Sequence, residues 1–184
     1  GYRIANEFLI QGANVTLVSG PSNLKLEHPN LTLVRVKSAD EMLVEVQKIW
    51  KESTFGVFSA AVADYRPKDR VEQKIKKTDT ELTITLTKNP DILLWAGEHK
   101  TDEQYLVGFA LETNDLRKNG TEKLKRKNLN MIVMNTLADS GAGFGFDTNK
   151  ISILDNRNNF KTFELKSKEE VAKDVLLFLK KYIS

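Results

Sequence analysis

The sequence predicts an α/β fold: a doubly wound, mainly parallel sheet with helices on both faces and a β-hairpin near the C-terminus. Three observations carry this expectation. Short β-rich runs alternate with amphipathic stretches of helical length along the chain. Several strand runs, such as Tyr105 to Ala110 and Met131 to Met134, are apolar without alternation, as strands covered on both faces are. The chain has 184 residues, 40% apolar and 29% charged, values that suit one domain burying a core of its own.

Each element has a local reason. Residues 2–11 place Ile4, Ala5, Phe8 and Leu9 on one helical face, and Gly12 follows as a stop. Asn14 to Ser19 is a β-rich run ended by Gly20-Pro21, and Leu31 to Val36 reads as a second strand. Ser38-Ala39-Asp40-Glu41 is a capping box that opens a helix continued by Met42, Val46, Ile49 and Trp50. Met42 and Trp50 fall at helix-core spacing and need no other role. Phe55 to Ala61 is an apolar, Gly-interrupted strand, residues 62–80 read as a loop, and Glu81 to Lys88 alternates with period two. Pro90 opens a helix to about His99. Tyr105 to Ala110 is a strand, 114–128 a charged helix, and Met131 to Met134 a strand. After a Gly-rich loop, Lys150 to Leu154 and Phe160 to Leu165 form the predicted hairpin. A helix runs from the box Ser167-Lys168-Glu169-Glu170 to Tyr182. The pattern is Rossmann-like except at its start. Such folds open on a strand whose following loop binds phosphate, whereas this chain opens on a helix. Residues 1–184 are therefore read as one domain lacking its N-terminal strand and phosphate loop.

Composition removes several function classes. Without Cys there is no disulfide framework, Cys-ligated zinc, iron–sulfur cluster or thiol nucleophile. His28 and His99 are too far apart in sequence to suggest a metal site and read as surface residues. No stretch approaches the ~20 apolar residues of a spanning helix. Gly1-Tyr2-Arg3-Ile4 is no signal peptide. The expectation is a soluble, cytoplasmic protein with no membrane partner.

Ligands of open α/β sheets bind beyond the carboxyl ends of the strands. The loops after the strands therefore hold the candidates. The net charge of +3 hides a segregation: Arg66 to Lys77 carries +4 and Arg117 to Lys127 carries +5, which leaves −6 on the other 161 residues. Lys123 and Lys127 are four apart and share a helical face, a placement that can meet a polyphosphate. Asp64, among small residues at a strand end, can accept ribose hydroxyls or help hold Mg²⁺. Asp91 either complements a helix dipole or marks backbone N–H groups offered to a ligand. Phe109 is read as core or as a base-stacking ring. Gly141-Ala142-Gly143-Phe144-Gly145 is followed by a strand, which argues against a dinucleotide loop, and there is no P-loop.

Six motifs in register resemble phosphopantothenate–cysteine ligase, the synthetase domain of the bacterial coenzyme A biosynthesis flavoprotein. They are Ala60-Ala61-Val62-Ala63-Asp64-Tyr65-Arg66-Pro67, Lys74-Ile75-Lys76-Lys77, Lys88-Asn89-Pro90-Asp91-Ile92, Gly108-Phe109-Ala110-Leu111-Glu112-Thr113, Lys123 through Asn128, and Phe146-Asp147-Thr148-Asn149. The resemblance implies ligation of 4′-phosphopantothenate to cysteine through an acyl-nucleotidylate. It places the Phe58-Ser59-Ala60 backbone and Asp64 against the nucleotide, with Asp64 also the candidate Mg²⁺ ligand. Lys74 becomes the catalytic flap lysine. Pro90, Asp91, Ile92 and Leu93 line the triphosphate pocket, Phe109 the nucleotide pocket, and Lys123 and Lys127 complete it. The Ala-Asp-Tyr-Arg-Pro wording is similar to the bacterial branch and implies CTP. A homodimer is implied too, with 81–88 and 150–165 as candidate edge strands, and a flavin only if a decarboxylase domain precedes. The family's Gly-Gly-x-Thr loop and an Asn that serves conversion of the acyl-nucleotidylate are missing from these residues, so the second half-reaction is expected to be impaired. Two other readings compete: a basic nucleic-acid-binding module, disfavoured because no aromatics interleave the clusters, and a non-catalytic oligomerisation domain.

Overall fold

The computed structural model describes residues 1–69, 83–112, 114–135 and 147–181. In chain order the elements are α1 (Tyr2–Ile10), β1 (Val15–Ser19), β2 (Leu31–Arg35), α2 (Ala39–Trp50), β3 (Phe55–Phe58), β4 (Tyr65–Pro67), β5 (Leu86–Lys88) and α3 (Ile92–Glu98). They continue as β6 (Tyr105–Leu111), α4 (Leu116–Arg126), β7 (Met131–Asn135), β8 (Thr148–Asn149), β9 (Ile151–Asp155), β10 (Phe160–Thr162), β11 (Lys166–Ser167) and α5 (Lys168–Lys180).

The central sheet has the order β10-β9-β7-β6-β3. β3, β6 and β7 are parallel, and the hairpin β9–β10 adds two antiparallel strands beside β7. β1 and β2 pair in parallel as a separate two-stranded sheet. The α/β architecture and the C-terminal hairpin are thus as the sequence predicts.

Apolar strands put successive side chains on opposite faces, and each face is covered by helices. Leu106, Ile132, Met134 and Leu154 pack with Val46 and Trp50 of α2, Ile92 and Ala96 of α3, and Leu124 of α4. On the other face Val107, Met131, Val133, Ile151 and Ile153 pack with Val171, Val175, Phe178 and Leu179 of α5, while Phe8 of α1 leans against them. Trp50 fills the core, as its spacing predicts, and its indole N–H donates to the Ala96 carbonyl at 3.0 Å. No helix among the described residues is long and apolar enough to cross a membrane.

The local signals act as expected at most ends. Gly12, just past α1, takes φ +85°, the left-handed conformation glycine adopts without steric penalty. The Ser167–Glu170 box is complete in both directions. At α2 only half of it forms: the Ser38 hydroxyl accepts the Glu41 N–H, but the Glu41 carboxylate reaches back to the Lys37 N–H at 2.7 Å.

Three expectations need correction, and one strand pair has no counterpart among them. Residues 62–80 are not all loop, because β4 pairs antiparallel with β5. Within the run 81–88, the described strand is Leu86–Lys88, although the Lys68 N–H still donates to the Thr85 carbonyl at 2.9 Å. β10 spans only Phe160–Thr162, although the Phe163 N–H still donates to the Ile151 carbonyl at 2.9 Å and its ring is buried. The short antiparallel pair β8–β11 has too few residues to show a period of its own.

Candidate nucleotide site

Because β3, β6 and β7 are parallel and in register, with Phe58 beside Gly108 and Ala110 beside Met134, their carboxyl ends share one edge of the sheet. Ser59 and Ala60 continue from β3, Phe109 lies near the end of β6, and Glu112 follows β6 directly. Ser59, Ala60 and Phe109 therefore sit at the edge where such sheets bind ligands.

Asn89 ties two of the segments together. Its N–H donates to the Asp64 carbonyl at 2.8 Å, and its side-chain amide donates to the Ala63 carbonyl at 2.7 Å. Its side-chain oxygen accepts from the Arg66 guanidinium at 2.8 Å, and the same guanidinium pairs with Asp40 at 3.1 Å. This junction fixes the 60–64 segment against the start of α3. Asp64 itself is exposed.

Asp91, rather than Pro90, is the N-cap of α3, with its carboxylate accepting the Leu94 N–H at 3.0 Å. The same carboxylate holds the Lys127 ammonium at 2.9 Å. Geometry farther along α3 enforces that pairing. A Cβ at Gly97 would lie 2.0 Å from the Lys127 carbonyl oxygen, so only glycine lets the end of α3 touch the end of α4. Asn128, in the left-handed region at φ 50°, donates its amide to the Gly97 carbonyl at 2.9 Å. One turn back on α4, Lys123 pairs with Glu112, whose other oxygen accepts the Asn119 amide at 3.0 Å.

The basic run 117–127 is thereby divided. Lys123 and Lys127 are partly buried and each rests on a carboxylate, while Arg117, Lys118, Lys125 and Arg126 stay exposed. Two ammonium groups thus lie one helical turn apart on α4, each paired with a carboxylate from another part of the chain.

Other predicted residues take different positions. The Phe58 ring meets Trp50 edge-on at 6.2 Å, and Ile92 is buried in the α2–α3–α4 core, so only their backbones can face a ligand. Leu93 packs against the same cluster, and Phe109 is half-buried against the opposite one. Ser59 and Pro90 are also half-buried, and Ala60 is exposed. Lys74, Thr113, Phe146 and the Gly-rich loop lie outside the described residues. No group of three or more acidic or His side chains suited to a metal occurs among the described residues. Two open depressions of about 720 and 470 Å³ along α4 touch none of the predicted residues. Sequence reasoning passed over Asn89, Gly97 and Glu112 as individual residues; the one readable signal was Glu112, an acid placed directly after an apolar strand.

Comparison with known proteins places the chain by family and fold. A protein named "Cysteine/Cysteine sulfinic acid decarboxylase", from an unidentified prokaryote, is 44% identical over 176 residues, covering 96% of this chain and 49% of the relative. The coenzyme A biosynthesis bifunctional protein CoaBC of Haemophilus influenzae is 42% identical over 177 residues, covering 96% of this chain and 43% of that protein. The chain thus spans about half the length of the curated relatives it matches. The crystal structure of a CoaBC C-terminal domain superposes with a TM-score of 0.82 at 34% identity, covering all of this chain and 81% of the other. The family model for the DNA/pantothenate metabolism flavoprotein C-terminal domain matches residues 1–182, and the chain belongs to that family.

Proposed function

We propose that this chain carries the nucleotide-binding part of an enzyme that joins 4′-phosphopantothenate to cysteine, with CTP as co-substrate. The observation that carries the reading is the pair Lys123 and Lys127, one turn apart on α4 and held by Glu112 and Asp91. The relationship to CoaBC supports it. The decarboxylase name of the other relative describes a protein of which this chain matches 49%, and does not by itself assign an activity to these residues.

A carboxylate is a poor acyl donor until one oxygen becomes part of a good leaving group. In the proposed first step the phosphopantothenate carboxylate attacks the α-phosphate of CTP, forming an acyl-cytidylate and releasing pyrophosphate. The cysteine amine then attacks the acyl carbon and CMP departs, leaving the amide. Negative charge shifts toward the pyrophosphate in the first step, and fixed cations that meet it there lower the barrier by ~1.4 kcal/mol per tenfold in rate. Lys123 and Lys127 take the phosphates, Lys74 covers the nucleotide, and the 58–60 backbone with Phe109 borders the base and ribose. Pro90 to Leu93 form the wall beside the triphosphate. Mg²⁺ is commonly held by one or two carboxylates together with substrate phosphates, and Asp64 is an exposed carboxylate on the segment that Asn89 fixes. Asp64 would hold it, supplying charge neutralisation at the phosphates.

The test is pyrophosphate release by the full-length protein. Release from CTP only in the presence of phosphopantothenate is expected, and equal use of ATP would overturn the nucleotide assignment. Lys74→Gln should severely slow amide formation with an unchanged unfolding midpoint; near-normal turnover would remove Lys74 from the mechanism.

A further inference from the structure

Lys123 has a surrounding that the other cations of α4 lack. Its partner Glu112 is a buried carboxylate, 8% exposed, and both of its oxygens are engaged. One pairs with the Lys123 ammonium and the other accepts the Asn119 amide at 3.0 Å. The Asn119 amide is itself fixed by the Asn114 carbonyl at 2.9 Å. On the backbone side, the Glu112 N–H donates to the Asn135 carbonyl at 3.0 Å, which ties the residue to the end of β7. The carboxylate is therefore anchored to two strand ends and to the first turns of α4.

A lysine on its flexible four-carbon stem spreads over many rotamers unless something holds the ammonium. A buried carboxylate does so at a cost, because desolvating it opposes the Coulombic gain, so a pair of this kind is weak evidence for stability alone. What it does provide is direction. An ammonium has three N–H donors, and one engaged by Glu112 leaves the others to a ligand. Lys127 is different: its partner Asp91 is half-exposed and already caps α3, and the Lys127 stem is itself largely covered.

On the nucleotide reading above, we infer that Glu112 is a positioning residue, holding the Lys123 ammonium at the carboxyl edge of β6 so that it meets a nucleotide phosphate. Glu112 touches no substrate in this role and acts through Lys123.

The experiment is a double-mutant cycle in the full-length protein, with steady-state kinetics against CTP. Glu112→Gln is expected to raise the KM for CTP about tenfold while kcat falls less than about threefold, and to add less than about twofold once Lys123→Met is present. Asn119→Ala, which frees only the second oxygen, should raise the same KM by about two- to threefold; it serves as the readout if the Gln variant does not fold. A KM unchanged in both variants overturns the inference, and so does an equal effect with and without Lys123, which would mark a purely structural role. A lowered KM also overturns it, because Glu112 would then compete with phosphate for the lysine. If the unsubstituted protein saturates with no nucleotide, the nucleotide reading and this inference fall together; saturation with an unmoved Glu112→Gln removes only the inference.

Discussion

At Asp91 two duties meet in one carboxylate. It caps α3 through the Leu94 N–H and pairs with Lys127 across to α4. Cap loss on substitution by Ala costs about 1 kcal/mol, within a range of roughly 0.5–2 kcal/mol, whereas partly exposed ion pairs contribute about 0–1 kcal/mol. Asp91→Ala is therefore expected to lower the unfolding free energy in urea by about 1–2 kcal/mol. Asp91→Ser keeps the cap and should recover most of that loss. If Ser destabilises as much as Ala, the Lys127 contact rather than the cap dominates. Glu112 belongs to the same scale: it stands in one of the motifs, yet only its ion pair with Lys123 gives it a part of its own.

At the scale of elements, α5 is the one whose start is most fully specified by its own sequence. The Ser167 hydroxyl and, after it, the Ser167 N–H hold the Glu170 carboxyl below the usual carboxylate range. A depressed folded-state value means that this contribution is present above the unfolded value of about 4.5 and is lost as pH falls through the lower folded one. The first turn of α5 should accordingly loosen in acid, read by amide exchange at Val171 and Ala172. In Ser167→Ala that acid dependence should be smaller; an unchanged dependence would show that other carboxylates govern it. The α3–α4 junction works differently. Nothing in the local sequence around Gly97 announces that its missing Cβ lets the Lys127 carbonyl approach, because that contact spans thirty residues of chain.

At the scale of the molecule, two apolar clusters cover opposite faces of one sheet. Leu124 of α4 lies in one and Val175 of α5 in the other. Leu124→Ala should cost about 2–5 kcal/mol, and its loss should add to that of Val175→Ala within about 0.5 kcal/mol, because the two sites share no partner. Far-ultraviolet circular dichroism and tryptophan fluorescence should report one coincident transition. Separate transitions would mean that the two faces unfold independently. The arm β4–β5 leaves Tyr65, Ile84 and Leu86 exposed, an apolar surface of the kind that pairs with a second copy. The homodimer that the family resemblance implies predicts concentration-dependent sedimentation of the native protein and a shift to monomer in Leu86→Lys. A sedimentation coefficient unmoved by that change would place the interface elsewhere.

The sequence by itself determined the α/β class, the order of the main elements and several helix ends. These depend on periodicity, capping chemistry and glycine or proline breaks within a few residues, so the Ser38 cap, the Ser167 box and the stop at Gly12 were legible. It also carried the motifs that place Phe109, Lys123 and Lys127 on the candidate site. Tertiary structure alone decided which cations of the basic run face inward, because a helix projects them to all sides and only the position of a carboxylate from another element selects among them. It also decided that β4 forms, since a three-residue strand exists only through its partner β5. The roles of Asn89, Gly97 and Glu112 came from the same source. Each acts on a residue 15 or more positions away, or from another element, where local pattern has no reach.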